Sequence, residues 1–225
     1  LSSLYARLLT LSMTVFAISL SLMLYLSVEK LRSSAYTSFT NTISQTDLIV
    51  GSRTSSIQLL LYSVFRIGNA TNNITWESYE DIINQDEVAW SVPISLGDSH
   101  KGFRVMGTNL EFFDRYKYRG GQSLAVGEGN YFNDLYDVVL GYGVAEKLGY
   151  KLDVPLIVSH GLQSFTDHDD QPFRVSGILA KTGTPVDNTV IVSLEAIEAI
   201  HVDWSSGTKI QGQETPVAQI RKMDL

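Results

Sequence analysis

The sequence predicts an α+β protein that begins with one transmembrane helix, and three observations support this fold class. Residues 8–28 contain no charge, no proline and no glycine. After them, short apolar runs typical of strands mix with helical patterns, without the strict alternation of a parallel α/β protein. Glycine turns and scattered aromatic residues in that part are typical of a globular domain.

Residues 8–28 are long enough for one membrane crossing. At about 1.5 Å rise per residue, a helix of this length just spans a hydrocarbon core of about 30 Å. Arg7 closes one end and Glu29 the other. A cleavable signal peptide, the alternative, has a shorter apolar region and a small-x-small cleavage site, and neither is found here. We therefore expect a retained transmembrane helix at 1–28 and a stalk helix at 29–46.

Small side chains follow one face of this helix. Thr10, Thr14, Ala17 and Ser21 recur at spacings of four, three and four. Such a stripe lets a second helix approach closely. Serine and threonine are also common in single anchors, so two interpretations stay open: a packing seam for other membrane helices, or chance.

The net charge and the cysteine count exclude nucleic acid as an expected partner and disulfides as an expected support of the fold. Of the 17 basic side chains only Arg7 precedes Glu29, which leaves 16 basic against all 24 acidic side chains in the soluble part. This acidity argues against nucleic acid as a partner, because phosphate backbones select clusters of lysine and arginine. The chain has no cysteine, so no disulfide framework supports the fold.

The pattern after the anchor predicts a mixture of short strands and helices, without strict alternation. Thr75 and Ser193 are predicted helix N-caps, and Gly149 is a predicted helix stop. We expect strands at 47–51, 88–95, 103–106, 137–140, 155–159, 173–179 and 190–192. Helices are expected at 75–80, 109–118, 142–148 and 194–201, a buried helix or hairpin at 57–67, and loops at 120–130 and 161–171.

The sequence contains no complete nucleotide-binding or catalytic motif. Gly141 and Gly143 follow a strand as in a dinucleotide fingerprint, but the third glycine position is Glu146, whose charge would repel a pyrophosphate. The sequence has no Gly-Lys-Ser/Thr of a P-loop and no Gly-x-Ser-x-Gly. We therefore expect no enzymatic activity in this chain.

The histidines are the one group of residues that suggests a chemical site. Neutral imidazoles with carboxylates suit Zn²⁺, which makes His100, His160, His168 and Asp170 candidate ligands. No His-x₃-His helix and no cysteine accompanies them. His201, at the end of the last predicted helix, is better explained as a favourable C-terminal charge or a packed side chain. A solvated loop at 167–170 is the alternative for the acids.

Four segments together resemble the MacB/FtsX-like permeases of ABC transporters. They are the anchor, residues 46–53 (TDLIVGSR), 138–149 (VVLGYGVAEKLG) and 172–179 (PFRVSGIL), the last followed by Gly183-Thr-Pro and a strand. Their order and spacing carry the likeness. Residues 151–154 depart from it, because relatives commonly have a glycine turn there.

The resemblance implies a two-lobed mixed α/β periplasmic domain at 47–204, one lobe α/β and the other inserted and β-rich. Residues 205–225 would lead to three further membrane helices in the bacterial inner membrane. The implied partners are a cytoplasmic ABC ATPase that binds ATP, a second permease copy, a periplasmic protein and membrane lipid. The implied role is mechanotransmission, which couples ATP hydrolysis to export or periplasmic work. Two alternatives stay open: a zinc-linked transport subunit, and a membrane-anchored periplasmic sensor or binding domain.

Overall fold

The computed structural model describes residues 2–68, 72–161, 173–205, 208–210 and 215–223. Two compact units divide the chain, Leu1–Asn41 and Thr42–Leu225. The first unit is formed by helix α1 (Ser2–Thr42), whose last residue belongs to the second. The second unit contains all other helices and all strands of the described residues.

Helix α1 is one uninterrupted helix that includes the predicted anchor from Ser2 onward and the predicted stalk as far as Thr42, four residues short of the predicted end at 46. Its stretch Arg7–Ser34 is long and apolar enough to cross a membrane, and none of it is buried in the protein. Within this stretch the hydroxyls of Ser12, Thr14 and Ser27 each donate to a backbone carbonyl three or four residues earlier, at 2.7–2.9 Å. Side chains that are apolar on every face need a non-aqueous environment, as a bilayer provides.

Among its described residues, the second unit contains six short α-helices, one 3-10 turn at Pro185–Asn188 and eleven strands. The helices are α2 (Ser56–Ser63), α3 (Trp76–Ile83), α4 (Glu111–Arg115), α5 (Tyr142–Leu148), α6 (Leu194–His201) and α7 (Val217–Ile220). The strands are β1 (Ser95–His100), β2 (Phe103–Thr108), β3 (Lys117–Tyr118), β4 (Gln122–Ser123), β5 (Val126–Gly129), β6 (Asp137–Leu140), β7 (Pro155–Leu156), β8 (Phe173–Leu179), β9 (Thr189–Ser193), β10 (Trp204–Ser205) and β11 (Thr208–Lys209).

Seven of these strands form one mixed sheet. Its order is β1-β2-β9-β6-β8-β5, and β7 also pairs with β8. The pairs β2–β9 and β6–β8 are parallel, and the other pairs are antiparallel. Two-stranded ribbons, β3–β4 and β10–β11, complete the unit. The predicted class, mixed α and β after one apolar helix, is therefore confirmed.

Both faces of the sheet are buried. Along β6, Val138 and Leu140 pack with α5, α6 and α7, whereas Val139 points to the opposite face. That second face is covered by an aromatic cluster around Phe112 and Phe113 of α4. The sequences of the central strands are therefore almost continuously apolar, as is typical of strands that are buried on both faces.

The predicted helix caps and the predicted helix stop are confirmed. Ser193 caps α6 by accepting a hydrogen bond from Ala196 N at 3.0 Å, and Thr75 caps α3 in the same way. Helix α5 ends at Gly149, which adopts φ +67°, a left-handed conformation that favours glycine.

Other predictions were wrong. Residues 47–51 form no strand, because their backbone pairs with no neighbouring strand and Leu48 is 75% exposed. The strand expected at 88–95 begins only at Ser95, since Pro93 just before it has no N–H to donate. Of the buried helix or hairpin expected at 57–67, a helix is formed, but it spans only Ser56–Ser63 (α2) and has no buried residue. The loop expected at 120–130 contains β4 and β5. The predicted boundaries of stalk, lobes and connector stay predictions.

Candidate functional site

Three side chains from distant parts of the sequence meet at one end of the sheet: Asp98, His160 and His201. His160 Nδ1 lies 3.1 Å from His201 Nε2 and 3.3 Å from Asp98 Oδ1. His201 Nε2 lies 3.8 Å from the same carboxylate oxygen. Three potential ligand atoms therefore form a nearly equilateral triangle. We refer to these residues as the Asp-His-His cluster.

Strand pairing brings the first two members together. A register shift in the β1–β2 ladder, typical of a bulge, falls between Leu96 and Ser99, at the position of Asp98. The next residue, Ser99, exchanges two backbone hydrogen bonds with Ser159, at 2.9 and 2.8 Å. This isolated bridge holds the chain after β7 against β1, and it places His160 beside Asp98.

Helix α6 supplies the third member. Its buried face, Ala196, Ala199 and Ile200, packs against the sheet, so the helix end is fixed in position. His201 is the last residue of the helix, and its Nδ1 is 2.7 Å from the carbonyl oxygen of Ile197. A carbonyl can only accept, so Nδ1 carries the proton and, in the neutral ring, Nε2 presents a lone pair to the cluster.

The cluster is buried on one side and open on the other. The Asp98 side chain is 3% exposed, whereas His160 and His201 are 36% and 26% exposed. Burial raises the pKa of Asp98 above its ordinary value, and the two neighbouring imidazoles oppose this shift. The ring of Trp204 lies 5.0 Å from that of His160 and 5.6 Å from that of His201. Solvent thus reaches the imidazoles but hardly reaches the carboxylate.

One of the four ligands predicted from the sequence, His160, lies in this cluster. His100 does not: its Nδ1 donates to Ile157 O at 2.6 Å, and its Nε2 accepts from the Tyr150 hydroxyl at 2.9 Å. Both ring nitrogens are therefore occupied by hydrogen bonds. His168 and Asp170 lie outside the described residues.

Sequence reasoning missed Asp98 and His201 as ligands. Asp98 stands two residues before His100, and spacing alone favoured the histidine. His201 was assigned a helix-end or packing role. Asp203, its neighbour in the sequence, is not part of the cluster, because its carboxylate accepts hydrogen bonds from Thr215 N and Oγ1, both at 2.7 Å. The available signal was position: His160 directly follows a predicted strand, His201 ends a predicted helix, and Asp98 lies between the two predicted strands at 88–95 and 103–106.

A second feature is an apolar cleft of about 760 Å³, lined mostly by residues that precede β5 and also by Leu194 of α6. Its walls are the extended segment 46–52, helices α2 and α3, residues 87–96 and the aromatic face of α4. Several large apolar side chains stay exposed on these segments: Leu48, Val50, Ile57, Ile74, Trp76 and Ile94. Exposed apolar surface of this extent is typical of a binding surface.

Arg66 lines the cleft and is poorly paired. Its Nη2 lies 3.0 Å from Met106 Sδ, a weak acceptor. Its Nε and Nη1 are shielded from solvent and have no hydrogen bond to any residue that the structure describes. Burial lowers the pKa of Arg66 to about 10. The cleft wall therefore carries a cation that its surroundings disfavour.

Comparison with known proteins gives one strong match. The sequence profile of a family described as the MacB-like periplasmic core domain matches residues 8–219, nearly the whole chain. A crystal structure of a domain assigned to a permease of Porphyromonas gingivalis is 9% identical, with a TM-score of 0.32. The alignment covers 46% of this chain and 44% of that one, so this chain spans less than half of that domain, and the likeness carries no argument. No curated protein matches.

Proposed function

Because this chain belongs to the family of MacB-like periplasmic core domains, we propose that it is part of an ABC transporter permease. In this proposal the second unit lies in the periplasm and α1 lies in the bacterial inner membrane. A separate cytoplasmic subunit hydrolyses ATP, and a second permease copy completes the assembly. The permease couples hydrolysis to export or to mechanical work outside the membrane. The observation that carries the proposal is the family match over residues 8–219, which includes both the apolar helix and the domain.

The path of the chain after α1 supports a mechanical role. The helix continues without a break to Thr42, and two residues later Ser44 N donates to Lys117 O at 2.8 Å. Ser44 Oγ also accepts from Gly120 N at 3.3 Å. The end of the helix is thereby joined, through a short linker, to the β3–β4 ribbon. In this proposal, a movement of the helix is passed to the ribbon through this linker.

The proposal assigns ATP hydrolysis to another subunit, as the resemblance to the MacB/FtsX-like permeases implies. It predicts that the full-length permease binds a P-loop ATPase. Failure of the full-length protein to copurify with the ATPase expressed beside it would contradict the transporter assignment.

The mechanical part is tested by breaking the helix between membrane and domain. Ser33→Pro removes one backbone N–H and introduces a ring clash in the helix interior, which costs about 3 kcal/mol and kinks the helix. The matched control is Ser33→Ala, which keeps the helix. The cysteine-free sequence allows a single spin label at Glu195→Cys, an exposed position on α6.

The assay measures the label-to-label distance in the permease pair, reconstituted with its ATPase in nanodiscs, with and without ATP and vanadate. Wild type and Ser33→Ala are expected to show a nucleotide-dependent distance change. Ser33→Pro is expected to lose the change while the ATPase subunit still hydrolyses ATP. An unaltered response in Ser33→Pro would show that α1 does not transmit the motion.

The apolar cleft favours a second candidate, a membrane-anchored periplasmic binding domain without a transport role. The volume of about 760 Å³ lies in the range of small-ligand sites. The copurification experiment separates the two candidates, because a binding domain of this kind needs no ATPase partner.

A further inference from the structure

We infer that the Asp-His-His cluster binds one divalent transition-metal ion, with Zn²⁺ as the ion that best fits the three donors. This inference concerns a site that the family match does not assign. It does not depend on transport, since the site lies entirely within the second unit.

The spacing of the donor atoms matches a tetrahedral coordination face. With metal–ligand distances of about 2.1 Å, neighbouring donors around a tetrahedral ion are about 3.4 Å apart. The three distances here are 3.1 Å, 3.3 Å and 3.8 Å. An ion can therefore be accommodated with sub-ångström movements of the side chains.

The surroundings of the cluster favour the binding of a cation. Oδ1 of Asp98 is shielded from solvent and has no well-aligned hydrogen bond to a described residue, and its neighbours are His160 Nδ1 at 3.3 Å and His201 Nε2 at 3.8 Å. A buried carboxylate oxygen in this position favours a nearby cation. His201 already makes the outer hydrogen bond typical of a metal-bound imidazole, from Nδ1 to a backbone carbonyl, which orients the lone pair of Nε2. The C-terminal end of α6 adds the negative end of a helix dipole.

The donor set selects the class of metal. Two imidazole nitrogens and one carboxylate oxygen suit Zn²⁺ and its neighbours in the first transition row. Mg²⁺ and Ca²⁺ prefer sites built from oxygen ligands, so they are expected to bind poorly. Three protein ligands leave the fourth position open, and the partial exposure of both imidazoles gives the ion access from solvent.

A bound ion would connect three separate elements. Asp98 belongs to β1, His160 follows β7, and His201 ends α6. The segment after β7 is already held to β1 by the bridge between Ser99 and Ser159, and by hydrogen bonds from Ser99 Oγ to Gly161 O and from His100 Nδ1 to Ile157 O. The metal would add a further link there, and it would fix the end of α6 to the same edge of the sheet.

The alternative for the same geometry is a hydrogen-bonded chain without metal. In that case His160 Nδ1 carries a proton and donates it to His201 Nε2, which accepts because His201 Nδ1 is the protonated nitrogen. With a metal bound, the proton of His160 resides on Nε2 instead. The two arrangements require different protonated nitrogens on His160 and are separable by titration with metal.

The test uses the full chain in detergent micelles after removal of metal with a chelator. Zn²⁺ is titrated by calorimetry, and Co²⁺ serves as the optical probe, because four-coordinate Co²⁺ absorbs visible light far more strongly than six-coordinate Co²⁺. We expect one Zn²⁺ per chain with a dissociation constant below about 10 µM. We also expect a four-coordinate Co²⁺ spectrum that Zn²⁺ abolishes. Mg²⁺ should compete with neither ion.

Two variants locate the site. Asp98→Asn replaces the charged carboxylate by a neutral amide, and His160→Gln replaces the imidazole by an amide, each with little change in size. Because an amide oxygen is a weak ligand for Zn²⁺, each change should weaken Zn²⁺ binding by more than about 100-fold. The matched control is Glu198→Gln, which removes an exposed carboxylate from α6 and should leave the affinity unchanged.

Two results would overturn the inference. One is a wild-type chain that binds Zn²⁺ no more tightly than about 1 mM, or that gives a six-coordinate Co²⁺ spectrum. The other is a pair of cluster variants that are folded, as judged by circular dichroism, and bind as tightly as wild type. The wild-type measurements decide the matter even where a variant does not fold.

Discussion

Replacing Arg66 by methionine is expected to stabilise the protein. Burial lowers the pKa of Arg66 from its ordinary value to about 10, so the folded state disfavours the charged form relative to the unfolded state. Each pKa unit corresponds to about 1.4 kcal/mol, which sets an upper bound of about 3 kcal/mol. This destabilisation is present at every pH below about 10 and is relieved only above it.

Methionine retains much of the packing and removes the charge. Arg66 has φ +62°, and methionine, also unbranched at Cβ, meets the same backbone restriction, so strain does not change. Buried ionic groups replaced by apolar ones of similar volume often gain about 1–4 kcal/mol. After allowance for the lost Met106 contact, we expect Arg66→Met to raise the free energy of unfolding by about 1–3 kcal/mol.

The assay is urea unfolding of the full chain in micelles, followed by tryptophan fluorescence. The control is Arg115→Met, because Arg115 also lines the cleft but is 47% exposed and has an ion pair with Glu111 at 3.8 Å. Its substitution should change stability by less than about 1 kcal/mol. A loss of stability in Arg66→Met would refute the reasoning and would mean that the guanidinium has a favourable partner. A gain would mean that stability does not explain why this cation lines the cleft.

Two further predictions concern the domain. Gly141→Ala should lower the free energy of unfolding by about 1–3 kcal/mol in the same assay, because the added Cβ would lie 2.1 Å from the carbonyl oxygen of Val186. The control is Gly97→Ala, which has open space around it and should lower the free energy of unfolding much less. Equal effects of the two substitutions would contradict the packing argument. Arg221→Met should remove the bidentate pair with Asp134, whose pKa the Arg221 hydrogen bond lowers. The ion pair stabilises the folded state above the unfolded pKa of about 3.9, and this stabilisation is lost as pH falls through the lower folded pKa of Asp134. The variant should therefore differ from wild type in free energy of unfolding by less than about 1 kcal/mol at pH 7, and by nothing in acid. A difference that persists in acid would indicate lost packing instead.

Elements defined by local chemistry were predictable from the sequence. Helix α5 follows an apolar strand and ends at Gly149, and both signals lie within a few residues of each other. Helix α6 begins at the Ser193 cap in the same way. Residues 47–51 have the composition of a strand, but a strand also needs a partner, and pairing is not encoded in a short window. The resemblance to the MacB/FtsX-like permeases was confirmed by the family match, because it rested on several segments in order.

The candidate site was only partly predictable for a related reason. His160 was identified by residue type, but its partners depend on long-range pairing. The bridge between Ser99 and Ser159 sets which residue of β1 faces His160, and a register shift at Asp98 alters the simple alternation of that strand. His201 reaches the cluster only because α6 packs across the sheet. None of these contacts follows from spacing in the sequence.

The internally bonded hydroxyls of α1 bear on its contacts with other helices. Ser12, Thr14 and Ser27 satisfy their hydrogen bonds within the helix itself, so in lipid they demand no polar neighbour. These three side chains therefore place no demand for a polar partner on a neighbouring helix. Close contact between this part of α1 and another helix would depend on the shape of its small side chains.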